Sequence, residues 1–246
     1  YYDIGLVSAE GGKPITNLTN SGYMNNNPRF VMDGKAILFE TERYGMRNHA
    51  SWGSMGDLML VFLNQDAYDK YRMSKEDYEL QKELEAEQKK EAEKAKQNNK
   101  KKEDKKKDDK KDGKKENSDK KESKDIVVEL ENIEYRIVRL TPNSSSLGDA
   151  IITQDGNTLF YLSRFESGYD LWKLDVKKRA PQLAQKGMGN GTFDTDQKGN
   201  IYLLGDMMKK INSMSGVGTP VSVFSNMKMI PSEEREAMFN HVCLQI

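Results

Sequence analysis

Asn27 to Gly45 reads NPRFVMDGKAILFETERYG. Phe30-Val31-Met32 is a short apolar run, Asp33-Gly34 a two-residue turn signal, and Lys35 to Glu42 a β-rich run. In that run Ile37 and Phe39 alternate with smaller or polar neighbours. An Asp-Gly pair between two β-prone runs signals a hairpin, because both turn residues must accept positive φ. The pattern returns at Gly148 to Gly168, GDAIITQDGNTLFYLSRFESG, with Asp155-Gly156 at the turn. A fainter copy, GTFDTDQKGNIYLLG, runs from Gly191 to Gly205 with Lys198-Gly199 at the turn. Gly156 and Gly199 are about 43 residues apart, the period of a four-stranded propeller blade. Gly34 and Gly156 are separated by about 79 residues more than that period, which marks an insertion.

Working outward, Tyr2 to Val7 and Lys13 to Thr19 read as the two outer strands of a preceding blade. After the Asn27 hairpin and a polar loop, Asp57 to Leu63 and Tyr135 to Leu140 are the third and fourth strands of the first full blade. The second blade is Asp149 to Thr153, Thr158 to Ser163, Asp170 to Asp175 and Pro181 to Ala184. The third is Thr192 to Asp196, Asn200 to Leu204, Lys209 to Asn212 and Pro220 to Phe224. The expected fold is therefore all-β: about three four-stranded propeller blades plus part of another, over residues 1–230. Repeats of this kind bury their faces on their neighbours.

The insertion, 64–134, has two halves. Asp66 to Ala95 is rich in strong helix formers, and Ser74-Lys75-Glu76-Asp77 reads as a capped helix start. Lys96 to Asp125 has no apolar side chain, so it cannot offset its chain entropy by burial and is expected to be disordered. Its acids are mixed with its lysines throughout, which favours a solvated linker over a nucleic-acid or membrane patch. After Pro231 the period becomes helical. Acids at Glu233, Glu234 and Glu236 sit where the helix dipole favours them, and residues 231–246 read as the start of a helical domain.

Composition excludes more than it assigns. Lys+Arg and Asp+Glu are both 39, so no nucleic-acid partner is implied by net charge. One cysteine, Cys243, rules out an internal disulfide. No apolar run approaches the ~18 residues of a membrane span. The chain begins at Tyr1 without Met and stops at Ile246 inside a helical pattern, so it reads as a piece of a longer protein.

Candidate chemistry is sparse. His49 and His241 lie far apart, and neither has ligand partners at metal spacing. His49 reads as a loop residue and His241 as a packing or surface residue. Cys243 lacks an evident base and reads as a small core residue. Ser51 and Ser54 flank Trp52-Gly53 without the strand and helix that a nucleophile elbow needs. Asp57, Asp170 and Asp206 each fall near the start of a blade strand, where a turn-capping hydrogen bond explains them. Gly187 to Gly191, GMGNG, lacks the Lys-Ser/Thr of a phosphate loop. Asn17-Leu18-Thr19 fits a short glycosylation sequon. The residues point to no catalytic group, no cofactor and no metal in this segment.

One ordered set of features resembles a known family. WGSMGDLMLVFLNQDAYDKYRMSKEDYEL (Trp52 to Leu80) is followed by a Lys/Glu-rich insert. Then come YRIVRLTPNSS (Tyr135 to Ser145) and FYLSRFESGYDLWKLD (Phe160 to Asp175). This order resembles the propeller of bacterial tricorn-type serine peptidases, and EREAMFNHVCLQI (Glu234 to Ile246) resembles the helix that opens their catalytic half. Cys243 departs from the pattern, which has an aromatic residue there, often Trp. The resemblance implies a non-catalytic propeller segment that gates or guides peptides toward an active site in later domains. The catalytic Ser and His would lie in those domains. It also leaves room for a homo-oligomer and for either a periplasmic or a cytoplasmic location, the periplasm slightly favoured. Two alternatives remain open: a TolB-like protein-binding propeller, and the propeller of a prolyl-oligopeptidase-type peptidase.

Overall fold

The computed structural model describes residues 1–47, 49, 53–74, 76–84, 87, 126–222, 224 and 230–244. Three four-stranded antiparallel meanders follow one another along the chain. A short pair, β1 (Gly5–Leu6) and β2 (Thr16–Asn17), precedes them. The first blade is β3 (Asn25–Val31), β4 (Ala36–Thr41), β5 (Asp57–Phe62) and β6 (Ile137–Arg139). The second is β7 (Ser146–Ile152), β8 (Thr158–Arg164), β9 (Asp170–Asp175) and β10 (Ala180–Gln185). The third is β11 (Gly191–Thr195), β12 (Ile201–Gly205), β13 (Lys209–Ile211) and β14 (Gly218–Pro220). These are propeller blades.

Alternation explains how the blades stack. In β4, Ala36 and Leu38 face the second blade, while Ile37 and Phe39 face the β1–β2 pair. In β5, Leu58, Leu60 and Phe62 take the first side and Met59 and Val61 the second. All six β5 residues are buried, which is why DLMLVF carries an almost unbroken apolar run rather than a polar-apolar alternation. Leu159 and Tyr161 of β8 complete the seam with the first blade, and Phe160 and Leu162 start the seam with the third.

Several boundaries differ from the sequence reading. Val31 pairs with Ala36, so the first turn is a four-residue loop, Met32 to Lys35, rather than a two-residue Asp-Gly turn. Met32, Asp33 and Gly34 all have positive φ (54°, 55° and 77°). The Met32 thioether lies so close to Gly156 that a Cβ there would sit 2.5 Å from Met32 Cε, and Gly156 itself has φ 73°. Glycine is therefore required twice over at the second turn. The third turn is one residue shorter than the second: Asp196 bonds Asn200, whereas Thr153 bonds Thr158. A one-residue slip exchanges the faces of a strand. Ile201 and Leu203 thus face the second blade, and Tyr202 and Leu204 face away from it. The last strand is Gly218–Pro220 rather than Pro220 to Phe224, and Phe224 is exposed. β1 and β2 are also shorter than expected.

The insertion is anchored at both ends. Its first helix, α1 (Gln65–Arg72), starts earlier than the composition suggested, under an Asn64 cap that accepts from the Ala67 amide at 2.9 Å. Ala67 is buried and Tyr68 and Tyr71 pack on Phe62. Ser74 caps the next helical stretch, residues 76–84, as expected, accepting from the Asp77 amide at 3.1 Å. Lys177, in the β9–β10 turn, reaches across from the second blade. Its ammonium donates to the carbonyls of Lys70 at 2.5 Å and Tyr71 at 2.7 Å, at the C-terminal end of α1, where the helix dipole favours a cation. On the return leg, a 3-10 turn, Ile133–Arg136, replaces the expected start of the fourth strand. Arg136 is buried there and donates to the carbonyls of Phe62, Glu131 and Glu129, closing the neck. The expected disorder of Lys96 to Asp125 falls outside the described residues. The C-terminal helix spans Pro231–Leu244, with proline at its first position and none of its residues buried.

Candidate functional site: the axial groove

The first strands of the blades converge. β7 and β11 approach each other, and an ionic and hydrogen-bonded chain runs across β3, β7 and β11. Two bulges prepare it. Asn27-Pro28 interrupts the β3 register and Gly148-Asp149 interrupts that of β7. Bulges re-aim side chains, and here they lie next to Arg29 and at Asp149. The Arg29 guanidinium donates to Asp149 Oδ2 at 3.1 Å and to the Ala150 carbonyl at 3.2 Å. Asp149 Oδ2 in turn accepts from the Phe193 amide of β11 at 2.6 Å. Both charged side chains are partly buried, at 33% and 21% exposure, so the pair is less screened than an open surface contact.

On the turn side of this chain lies a cleft of about 370 Å³, walled by β3, β7, the end of β11 and the three turns. Gln154 donates to Asp33 at 2.7 Å across its rim, tying the first turn to the second. On the other side a more open cleft of about 450 Å³ is lined by Asn27, Arg29, Asp149, Tyr169 and Asn190. Behind Asn27, Glu40 is pressed against Gly56. Burial pushes the Glu40 carboxyl up to about 7, with Glu42 and Asp57 adding to the rise. The Asn27 amide, donating at 3.4 Å, opposes it.

The aspartates that open the third strands brace the blades. Asp57 is fully buried. It accepts from Arg139 Nη2 at 2.8 Å, Thr141 at 2.8 Å and Ser144 at 2.7 Å, while Thr141 accepts from the Leu58 amide. This is an ion-paired hub rather than the expected turn cap. Asp3 repeats the arrangement: Thr19 donates to it at 2.7 Å and accepts from the Ile4 amide at 3.0 Å. The Asn17 amide and then the Thr19 hydroxyl hold the Asp3 carboxyl below its usual range, so both polar side chains of the sequon are engaged in this brace. Asp170 accepts from the Gly187 amide at 2.8 Å, as a cap should. Asp206 is exposed. In each braced case the start of a blade's third strand is tied to the exit from its fourth.

The remaining candidates do not assemble. His49 is exposed, Ser54 donates to Glu42 at 3.1 Å, and Ser51 and Trp52 lie outside the described residues. His241 sits on the exposed C-terminal helix. Cys243 is exposed on the same helix rather than in a core, because that helix buries none of its residues. The GMGNG stretch links the second and third blades, with Met188 buried between them. Among the described residues no group of His, Cys, Asp and Glu could hold a metal ion. No described helix is long and apolar enough to cross a membrane. Arg29, Asp149 and Glu40 escaped the sequence reading. The local signal at Arg29 and Asp149 is a polar residue beside a proline or a glycine in the first strand of a repeat, whereas Glu40, on β4 between Phe39 and Thr41, carries none.

Fold and groove together define a segment of β-propeller. No protein-family model matches the chain, and no curated protein sequence matches it. Solved structures to which the chain is similar include two at low identity. One is the crystal structure of the tricorn protease, with TM-score 0.48 and 10% identity over 89% of this chain. The other is TolB from Acinetobacter baumannii, with TM-score 0.44 and 8% identity over 90% of this chain. The chain spans 19% of the first and 38% of the second. At this identity and overlap neither likeness transfers the role of any residue.

Proposed function

We propose that this chain is a non-catalytic propeller segment of a longer tricorn-like serine peptidase, guiding peptide substrates to an active site in later domains. The observation that carries the reading is the axial groove. Its walls are first strands and turns, with polar groups such as Arg29, Asp149 and Gln154 along it, and no described histidine stands by it. The chemistry is assigned to later domains, where the resemblance puts the catalytic Ser and His. The sequence resemblance supplies the kind of parent. Such a groove would select on substrate size and extension more than on the chemical step.

The test compares the full-length parent with a version starting near Pro231. Each is given a short fluorogenic peptide and a folded protein carrying the same cleavable sequence. Loss of the segment is expected to raise relative cutting of the folded protein. A truncated form that folds and keeps the parent's preference would leave the segment as a scaffold and defeat the proposal.

A further inference from the structure

The first turn is held in an unfavourable backbone conformation. Met32 and Asp33 have φ of 54° and 55°, and glycine follows only at Gly34. Aspartate tolerates that region, but methionine enters it at a cost. Such backbone persists where its surroundings over-determine it. Here a different element holds each of the three residues. Asp33 accepts from Gln154 at 2.7 Å. Gly34 lies under Ile126, on the return leg of the insertion, so closely that a Cβ there would come within 2.8 Å of that side chain. The Met32 thioether covers Gly156 of the second turn and packs on the core shared by the first two blades.

Met32 is also reachable from solvent. It is half-buried and lines two clefts, the turn-side cleft of the groove and a neighbouring one of about 470 Å³ beside Tyr71, Tyr78 and Lys177. Met46 and Met214, by contrast, are 72% and 87% exposed and have little packing to lose. Met59 and Met188 are sealed in blade seams at 5% exposure. Met32 combines access with a contact that matters to the rim of the groove.

We infer that Met32 is a reversible modification site, an oxidation-sensitive clasp between the first two turns. The co-reactant is a hydroperoxide. A sulfur lone pair attacks the terminal peroxide oxygen, and the S–O bond forms as the O–O bond breaks. The proton on that oxygen passes to the departing one, which leaves as water or an alcohol. Sulfur loses two electrons and the peroxide gains them. The product is a polar sulfoxide. The surface beneath it does not welcome the new oxygen: the Gly156 amide is already committed to the Thr153 carbonyl at 2.8 Å, and the other contacts are apolar. The sulfoxide is therefore drawn into the water of the clefts, the contact with Gly156 is lost, and the strained turn relaxes away from the rim. Reductases specific for the two sulfoxide epimers reverse the step. The consequence for peptide selection rests on the proposed function; the clasp does not, and its test reads only the turn.

The 246-residue chain is treated with hydrogen peroxide, and conversion at each methionine is followed by peptide mass spectrometry. Amide exchange is then measured by NMR at Gly34 and Lys35, whose amides donate to the Val31 and Met32 carbonyls at 3.1 and 3.2 Å. Exchange at these two amides is expected to speed up roughly tenfold, the effect of losing part of the burial of a methionine side chain. It is expected to slow again after treatment with methionine sulfoxide reductases A and B. Met32→Leu keeps a side chain of similar volume without the sulfur and should abolish the acceleration, although the other methionines still oxidise. The inference is overturned if Met32 is still a thioether when the sealed Met188 has been converted, or if the Met32→Leu protein shows the same acceleration. Exchange that stays fast once mass spectrometry shows Met32 reduced again would overturn it as well.

Discussion

Glu40→Gln should make the protein more stable at pH 8 and leave it nearly unchanged at pH 4.5. Glu40 lies on β4 against Gly56, where a Cβ would come within 2.3 Å of its Oε1. The carboxyl is therefore held close to the Gly56 backbone and is largely withdrawn from water. Burial first, then Glu42 and Asp57, raise it from 4.5 to about 7. The folded state therefore binds more protons than the unfolded state between those two values. Stability from this group is complete below about pH 4.5 and is lost as pH rises through about 7. A tenfold change in proton affinity corresponds to about 1.4 kcal/mol, which sets a ceiling of about 3 kcal/mol. Partial exposure and solvent screening reduce that to about 1–2 kcal/mol. Glutamine keeps an acceptor for the Asn27 amide and never ionises. Urea unfolding of both proteins, followed by circular dichroism at the two pH values, isolates the effect as a difference of differences, so other carboxylates cancel. A gap between variant and wild type that is the same at both pH values would refute the reasoning, as would a variant less stable at pH 8.

Two further expectations follow from the braces and the insertion. Asp57→Ala should cost about 2–3 kcal/mol, because it leaves the buried Thr141 hydroxyl and the partly buried Arg139 and Ser144 side chains without their shared acceptor; urea unfolding measures it, and a loss below about 1 kcal/mol would remove Asp57 from the role of hub. Deleting Glu85 to Lys124 and joining the ends with a short flexible linker should change unfolding free energy by less than about 2 kcal/mol, since loop closure entropy grows slowly with length. The insertion's described anchors, Asn64, Lys177 and Arg136, all lie outside the deleted stretch.

How much was legible depended on the range of the interaction. Asp33-Gly34, Asp155-Gly156 and Lys198-Gly199 declare turns by their own backbone preferences, and the alternation on either side of them declares strands. Their spacing then yields blades, because both signals are local and repeat. The lengths of the turns were not legible. Val31 pairs with Ala36 because of how the Met32 and Gly156 loops pack together, and the Tyr202 face was set by a single missing residue. Ser74 was visible as a cap because its hydrogen bond closes within three residues. Lys177, which caps α1 from 107 residues away in sequence, was not.

The same divide separates the groove from its sequence. By itself the chain determined that it forms four-stranded repeats of about 43 residues, that its charges balance, and that its two histidines lie far apart in sequence. The tertiary structure alone decided that Arg29 meets Asp149 across 120 residues of chain, that Asp57 is a buried hub, that Glu40 is desolvated, and that Trp172 Nε1 is buried without a partner among the described residues. The physical reason is that turn and strand preferences are properties of a few adjacent residues. Ion pairing, desolvation and unmet hydrogen bonds depend on which blade face is laid against which, and only the packed chain fixes that.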